Sequence, residues 1–323
     1  MTLISSCTAS TLKDAATSLR SGNLVAFPTE TVYGLGVDAT NKAAVVHLYQ
    51  VKGRPSDHPL IVHISSMANL DKWATEIPEY AIELGRVFWP GPMTLILPKT
   101  NLAKDFITGD QDSVGLRVPS HPVASALLTE FEELGGLGVA APSANRFGKV
   151  SPTTADHVFE ELSGYLSPTD LILDGGSCQV GVESTIINCT QNLPEILRPG
   201  AITATMISDV TGLQVNQLSF GFNKLTIKAP GLLQSHYAPK AKVFLSTTPN
   251  SGDGFIALND ISTPPGAIRL ASPKDNKEYA QILYQALRLA DNKKLPNVIV
   301  IPPTGDDLAI AICDRLEKSA YKS

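Results

Sequence analysis

Residues 24–36 read LVAFPTETVYGLG, an apolar run that Pro28 closes, followed by a short polar segment and two glycines. The run over residues 24–27 predicts a buried β-strand, because it is continuous, apolar and ends at a proline. Upstream, residues 11–20 place apolar side chains at helical spacing, and Gly22 follows where a helix would stop. A helix that leads into such a strand indicates a mixed α/β fold.

The same alternation continues along the chain to about residue 190. Strands are predicted at residues 60–64, 93–97, 114–118, 137–141, 171–173 and 185–189, and helices at 42–51 after a cap at Asn41, at 77–87 and at 122–131. Because the strand runs are apolar almost throughout, the sheet should be covered on both faces. The short gaps late in this region allow antiparallel neighbours, so we predict a twisted mixed sheet.

A weakly periodic stretch at residues 211–240, with prolines and glycines near its end, predicts a boundary between two domains. We assign residues 1–208 to a larger α/β domain, 209–240 to a linker and 241–323 to a smaller Rossmann-like α/β domain. The smaller domain is predicted to hold strands at 242–245, 254–257, 267–270 and 297–301 and helices at 277–291 and 306–318. A chain of 323 residues is long enough for two hydrophobic cores.

Composition excludes several classes of function. The formal net charge is -5, which argues against a histone-like or polybasic membrane role, so any polyanion site must be a local basic pocket. The four cysteines are scattered without a Cys-x-x-Cys pair, which argues against a zinc site or redox couple. Neither a secretion signal nor an apolar membrane span is apparent, and we expect a cytoplasmic protein.

Residues 34–39 read GLGVDA and match the G-x-G-x-x-G/A pattern of dinucleotide-binding folds. In those folds the first glycine directly follows a strand, whereas here a polar segment intervenes after Pro28. We therefore reject a nicotinamide site and expect a turn that needs two glycines. There is also no G-x-x-x-x-G-K-[ST] phosphate loop in the sequence.

Two cations, Lys52 and Arg54, flank Gly53 between a predicted helix and the strand that holds His63. The pair is either a solvated surface feature or a site for an anion with several oxygens, since arginine supplies a planar fork and lysine a movable charge. Arg117 interrupts another apolar strand, and its partner is either a structural carboxylate or a bound anion. His63 is either a core histidine or a ligand contact.

Small polar residues follow other predicted strands. Ser143 and Asn145 come after the apolar run 137–141 and either form a turn or contact a ligand. Arg198 precedes a Pro-Gly pair and raises the same question as Arg117, and Ser184 either caps a turn or points into a pocket. Taken singly, each of these sites is a weak signal.

Read in order, five motifs carry a resemblance to the YrdC-like family. They are PTETVYGLG at 28–36, KGRP at 52–55, PSAN at 142–145, ESTI at 183–186 and LRPG at 197–200. The Lys-x-Arg with a downstream Ser-x-Asn is similar to the family signature, and HYAP at 236–239 resembles the long, two-domain form. Relatives carry basic residues just before that stretch, whereas this chain has LLQS at 232–235.

The resemblance implies an enzyme that condenses L-threonine, bicarbonate or carbon dioxide, and ATP into L-threonylcarbamoyl-adenylate and pyrophosphate. This is the first step of threonylcarbamoyladenosine formation at position 37 of ANN-decoding tRNAs. The product would pass to a tRNA threonylcarbamoyl transferase complex, and direct tRNA binding would be weak or absent. Mg²⁺ is expected to arrive with ATP, without a dedicated protein metal site.

The resemblance also implies site roles. Lys52 and Arg54 would be catalytic. The residues implied for ATP are Arg54, His58, Ser113, Ser143, Asn145, Ser151, Arg198, His236 and Tyr237, and those for threonine are Thr31, His63, Arg117, Ala141 and Ser184. Tyr237 and His236 would close over ATP as a lid.

Alternatives from other classes remain at this point. An RNA-binding module would show a broad basic face or stacking aromatics, but this chain is acidic and only 6% aromatic. The carbamoyl-adenylate domain of hydrogenase maturation proteins sits beside zinc-finger-like modules, and the sequence lacks their cysteine pairs. A regulatory nucleotide sensor is the remaining alternative.

Overall fold

A mixed eleven-stranded sheet forms the centre of the larger domain in the computed structural model, which describes residues 4–217, 228–231 and 237–321. Its strands are β1 (Ile4–Ser6), β2 (Val25–Phe27), β3 (Gly34–Asp38), β4 (Ile61–His63), β5 (Met93–Pro98), β6 (Ser113–Arg117), β7 (Val139–Ala140), β8 (Leu171–Asp174), β9 (Thr185–Asn188), β10 (Glu195–Arg198) and β11 (Asn216–Gln217). They lie in the order β1-β8-β2-β3-β7-β4-β6-β5-β9-β10-β11. Neighbours pair both parallel and antiparallel, so the predicted mixed sheet is confirmed.

Helices cover this sheet. They are α1 (Ala9–Arg20), α2 (Lys42–Lys52), α3 (Leu70–Trp73), α4 (Glu79–Phe88), α5 (Asp105–Thr108), α6 (Pro122–Glu133), α7 (Ala155–Leu162) and α8 (Ala204–Thr211). Asn41 caps α2 as predicted, since its side chain accepts a hydrogen bond from the Ala44 amide at 3.2 Å. Gly53 ends α2 in the left-handed conformation at φ 59°, which turns the chain so that Arg54 follows the helix end.

The predicted glycine turn is wrong. Gly34 and Gly36 lie within β3, which pairs antiparallel with β2 and β7. A Cβ at Gly36 would lie 2.7 Å from Val139 Cγ1 and 2.8 Å from Phe27 Cε1. Glycine is therefore required by close packing inside the sheet.

The smaller domain is built on a parallel four-stranded sheet. Its elements are β12 (Lys242–Leu245), β13 (Gly254–Ile256), β14 (Ile268–Ala271), α9 (Asn276–Asn292), β15 (Asn297–Val300) and α10 (Leu308–Ala320). The strand order is β12-β15-β13-β14, and every pair is parallel. The predicted second α/β domain is confirmed. Within the described residues, no helix is long and apolar enough to cross a membrane.

The two domains share one hydrophobic core cluster. Val32, Val150 and Val182 of the larger domain pack in the same cluster as Tyr284 of α9 and Tyr237. This shared core brings the smaller domain against the loops that follow β2 and precede β9. The contact is a tertiary property that the separate sequence patterns did not indicate.

Candidate active site

A cavity with about 580 Å³ of empty space, here called the central pocket, opens where several strand ends meet the linker. Its lining residues are Thr29, Thr31, Val32, Gly34, Arg54, Ile61, His63, Arg117, Ala141, Pro142, Ser143, Glu183, Ser184, Arg198, Pro230, Gly231 and Tyr237. The register of the sheet explains part of the set, because His63 and Arg117 are direct partners on the parallel strands β4 and β6.

Most of the predicted site residues meet at this pocket. They are Thr31, Arg54, His63, Arg117, Ala141, Ser143, Ser184, Arg198 and Tyr237. Other predicted residues lie elsewhere: Lys52, Asn145 and Ser151 are buried outside the lining set, and His58 and Ser113 do not line the pocket. His236 lies outside the described residues.

Lys52 is the last residue of α2 and is 2% exposed. Its ammonium donates hydrogen bonds to the backbone carbonyls of Ser143 and Asn145. The Asn145 side-chain amide donates in turn to the carbonyls of Arg146 and Lys149, each at 2.8 Å. Burial and the neighbouring Arg54 hold the pKa of Lys52 well below its usual range. Lys52 therefore fixes the loop that carries Ser143, and the surface-pair alternative does not hold.

Arg54 is 7% exposed and lines the central pocket. Its Nη2 donates to the Pro59 carbonyl at 2.9 Å, and its guanidinium lies 5.6 Å from the centre of the Phe147 ring. Its Nε is buried and has no hydrogen-bond partner among the described residues. Burial lowers the pKa of Arg54 to about 10, so the side chain stays cationic near neutral pH. A buried cation with an unused donor fits an anionic ligand.

Arg117 has a structural carboxylate partner. Its Nη2 lies 2.7 Å from Glu30 Oε1 and 2.9 Å from Thr31 Oγ1. The second oxygen of Glu30 accepts from the Ser120 amide at 3.1 Å. The Arg117 Nε is buried without a hydrogen-bond partner in the described part of the chain. The guanidinium is thus oriented by Glu30 on one side and retains a donor for a ligand.

His63 is 3% exposed and packs edge-on against Phe27, with ring centres 6.1 Å apart. Its Nδ1 is buried and makes no hydrogen bond to any described residue. Burial, together with the nearby charge of Arg117, lowers the pKa of His63 to about 3. The imidazole is therefore neutral near pH 7.

The depressed pKa of His63 predicts acid sensitivity. The unfolded chain binds the His63 proton below about pH 6.5, whereas the folded chain binds it only near pH 3, so stability falls as pH falls through that window. Between pH 7 and pH 4 this one group should remove about 3 kcal/mol of unfolding free energy. Urea unfolding of the wild type and His63→Gln at both pH values measures it. Parallel losses in the two proteins would contradict the assignment.

Glu183 is a site residue that sequence reasoning did not assign, although the ESTI motif contained it. Its Oε1 accepts from Ser151 Oγ at 2.6 Å, and its Oε2 accepts from Tyr284 OH at 2.9 Å and Arg315 Nε at 2.8 Å. Burial alone would raise the pKa of Glu183, but Arg315 and Arg198 lower it to about 2. The carboxylate is thus ionised inside the protein. The sequence signal for Glu183 was its position just before a buried strand, where ligand-contacting residues often lie.

Arg198 closes the pocket from the β10 end. Its Nε and Nη2 donate to the Ser184 carbonyl at 3.1 and 2.9 Å, and Nη2 also reaches Ser184 Oγ at 3.1 Å. Its Nη1 donates to the Pro230 carbonyl at 3.1 Å. Ser184 Oγ lies 2.8 Å from Thr94 Oγ1. Arg198 therefore connects the Ser184 strand to the linker.

Three linker residues, Pro230, Gly231 and Tyr237, line the central pocket. Gln111 exchanges two hydrogen bonds with the backbone of Lys228, at 2.6 and 2.9 Å. Gly231 adopts φ +81°, and a Cβ there would lie 2.4 Å from Tyr237 OH. Tyr237 is 1% exposed and contributes its ring to the pocket wall. Tyr237 thus lies at the pocket, and its role as a lid stays a prediction.

The two remaining predicted residues lie near the pocket edges. Ser113 lines a smaller neighbouring cavity of about 230 Å³ together with Gln111, Lys228 and Pro230. His58 packs edge-on against Phe147 at 5.3 Å, on the aromatic ring that also lies under Arg54. Neither Ser113 nor His58 lines the central pocket, and their roles in ATP binding stay predictions.

Comparison with known proteins gives full-length matches. Residues 17–200 match the Sua5, YciO and YrdC family model described as "Telomere recombination", and residues 202–321 match the one described as "Threonylcarbamoyl-AMP synthase, C-terminal domain". The threonylcarbamoyl-AMP synthases of Pyrococcus abyssi and Bacillus subtilis are each 39% identical to this chain. Each alignment covers 96% of this chain, together with 94% of the P. abyssi protein and 92% of the B. subtilis protein. A structure of P. abyssi Sua5 complexed with L-threonine is 36% identical, with a TM-score of 0.88 over 99% of this chain and 98% of that one.

The mixed-sheet domain and its arginine-lined pocket, to which the linker contributes wall residues, define an enzyme of the Sua5, YciO and YrdC class. The chain belongs to the threonylcarbamoyl-AMP synthase family, in its two-domain form. The reaction of that family is a nucleotidyl transfer that forms threonylcarbamoyl-AMP.

Proposed function

We propose that this chain condenses L-threonine, bicarbonate or carbon dioxide, and ATP into L-threonylcarbamoyl-AMP and pyrophosphate in the central pocket. One observation carries the proposal. Arg54 and Arg117 line the same cavity, and each has a buried Nε without a hydrogen-bond partner among the described residues. A buried guanidinium is costly unless anions meet it. The three substrates supply carboxylate, carbonate and phosphate groups together.

The chemistry needs little acid–base assistance. The threonine amine attacks the carbon of carbon dioxide and loses a proton, which gives a carbamate. A carbamate oxygen then attacks the α-phosphorus of ATP, and the bond to the bridging oxygen breaks to release pyrophosphate. Such a displacement depends mainly on positioning and charge compensation, which buried arginines provide.

Threonine is assigned to the β4–β6 side of the pocket. Arg117 would hold the carboxylate with its Nε, which has no hydrogen-bond partner among the described residues. His63 is neutral, and its Nδ1 likewise makes no hydrogen bond to a described residue, so it would face the substrate amine or hydroxyl. Thr31, Ala141 and Ser184 complete this side of the wall. The L-threonine complex of the P. abyssi relative supports threonine as the substrate.

ATP is assigned to the remaining part of the pocket wall. Arg54 would bind the phosphates, and Ser143, Arg198 and Tyr237 would contact the nucleotide. Lys52 stays proposed as a catalytic residue together with Arg54, and its ammonium also fixes the Ser143 loop through bonds to that loop's carbonyls. Ser113, Asn145, Ser151, His58 and His236 belong to the same proposed ATP set.

Mg²⁺ is proposed to enter with ATP. Among the described residues, no group of three or more His, Cys, Asp or Glu side chains could hold a metal ion. Glu183, the carboxylate that lines the pocket, is already bonded to Arg315 and Tyr284. Phosphate oxygens and water would therefore be the ligands of the ion, and no protein group is assigned to it.

The cellular location and the fate of the product follow from this reaction. We expect the enzyme to work in the cytoplasm and to pass its product to a transferase complex that modifies position 37 of ANN-decoding tRNAs. Direct tRNA binding should be weak or absent, because the net charge of -5 gives no global attraction for a polyanion.

Pyrophosphate release from ATP and Mg²⁺ by the purified protein, with threonine and bicarbonate omitted in turn, tests the proposal. Mass spectrometry would detect L-threonylcarbamoyl-AMP in the same reactions. We expect release that requires both co-substrates. A folded protein that binds ATP but forms no adenylate would overturn the proposal and favour a nucleotide sensor or an RNA-binding protein.

A further inference from the structure

Arg315, on α10 of the smaller domain, reaches the wall of the central pocket. Its side chain is completely buried. The Nε donates to Glu183 at 2.8 Å, Nη2 donates to the Pro199 carbonyl at 2.9 Å, and the guanidinium lies 5.3 Å from the centre of the Tyr237 ring. One side chain of the smaller domain thus contacts two pocket-lining residues, Glu183 and Tyr237.

Tyr284, on α9, contacts the same two residues. Its hydroxyl donates to Glu183 Oε2 at 2.9 Å, and its ring stacks on Tyr237 with centres 5.8 Å apart. Of the donors to the Glu183 carboxylate described above, Ser151 is the one that comes from the larger domain. The smaller domain thus supplies two of these three donors, while Arg198 of the larger domain also helps to keep Glu183 ionised.

Lys318, also on α10, is a third residue of the smaller domain that contacts the pocket wall. Its ammonium donates to the carbonyl of Gly231, another pocket-lining residue, at 2.8 Å, and pairs with Asp314 at 2.7 Å. Asp314 also pairs with Arg315. Gly231 and Tyr237, two linker residues that line the pocket, are thus contacted by two adjacent turns of a helix that lies outside the larger domain.

We propose that Arg315, Tyr284 and Lys318 are positioning residues for the synthase reaction, through which the smaller domain orients the ATP side of the pocket. Loss of either donor to Glu183 leaves a buried carboxylate short of partners, which shifts it and the Ser151 hydroxyl bonded to it. Tyr237 loses a stacking or cationic neighbour at the same time. This inference rests on the proposed function, because it concerns the ATP contacts assigned there.

Tyr284→Phe in the full chain is the test, with Tyr279→Phe as the matched control. Both tyrosines lie on α9 and are fully buried, but the Tyr279 hydroxyl donates to the Ile301 carbonyl at 3.1 Å, within the smaller domain. We expect Tyr284→Phe to lower kcat/KM for ATP by about tenfold, the effect of one hydrogen bond to a charged group, and to leave the threonine KM within about twofold. Tyr279→Phe should change neither by more than about twofold.

Two further measurements keep the outcomes distinct. Calorimetric titration with Mg-ATP should show weaker binding to Tyr284→Phe than to Tyr279→Phe, independently of turnover. Arg315→Lys keeps the charge but not the planar fork, and should lose about tenfold or more in kcat/KM for ATP. Equal behaviour of the two tyrosine variants, with an active wild type, would overturn this inference alone. A wild type that forms no adenylate would overturn the proposed function and this inference with it.

Discussion

Arg54→Ala is expected to lower the rate of adenylate formation by about 10²–10³-fold, the usual cost of removing one charged donor that faces a transition state. The expectation follows from three observations: Arg54 is buried, it lines the central pocket, and its Nε is unpartnered as far as the described residues show. In the proposed reaction, negative charge grows on the pyrophosphate that leaves. A cation placed against it in a low-dielectric pocket stabilises the transition state more than the ground state. Pyrophosphate release at saturating substrates measures the change.

Arg269→Ala is the matched control for Arg54→Ala. Arg269 is also an arginine bonded to backbone carbonyls, with donors to Ala257, Leu258 and Ala271 at 2.7 Å each, but it lies in the smaller domain. We expect this variant to lose thermal stability and to keep its turnover rate below its melting temperature. If Arg54→Ala kept its rate, or if the two variants lost activity in proportion to stability, Arg54 would have no direct role in the reaction.

The sequence predicted those parts of the site that local chemistry marks. Arg117 and His63 interrupt apolar strands, and a buried polar group on a strand needs a partner or a ligand. Both residues do lie in the pocket, side by side on β4 and β6. Helix ends were also readable, because Asn41 and Gly53 occupy the positions that capping favours.

Other features depend on distant contacts and had no local signal. Glycines at positions 34 and 36 fit a turn as well as a strand in the sequence. The structure places them in a strand, where Val139 and Phe27 leave no room for a Cβ at Gly36. The sequence does not show what Lys52 contacts, because its hydrogen-bond acceptor is the backbone of the Ser143 loop, 91 positions further along the chain. Two of the three partners of Glu183, Tyr284 and Arg315, stand 101 and 132 positions further along the chain.

Arg117→Ala is expected to raise the threonine KM by about 100-fold while changing the ATP KM much less, because the lost donor is the one assigned to the threonine carboxylate. The same change leaves Glu30 without its cation inside the protein, which should cost about 3–5 kcal/mol of stability. Steady-state kinetics with each substrate varied in turn, together with thermal unfolding, measures both effects. Equal rises in the two KM values would remove Arg117 from the threonine site.

The double variant Glu30→Gln with Arg117→Met separates the two effects of that substitution. It removes both members of the buried ion pair and leaves a neutral amide, so most of the lost stability should return. The threonine KM should stay high, because neither glutamine nor methionine supplies a cation that could replace the guanidinium at the pocket. If threonine affinity returned together with stability, the role of Arg117 would be to hold Glu30 and the Thr29–Thr31 loop in place. The carboxylate of the substrate would then have to be bound by another cation at the pocket, and Arg54 and Arg198 are the described arginines that line it.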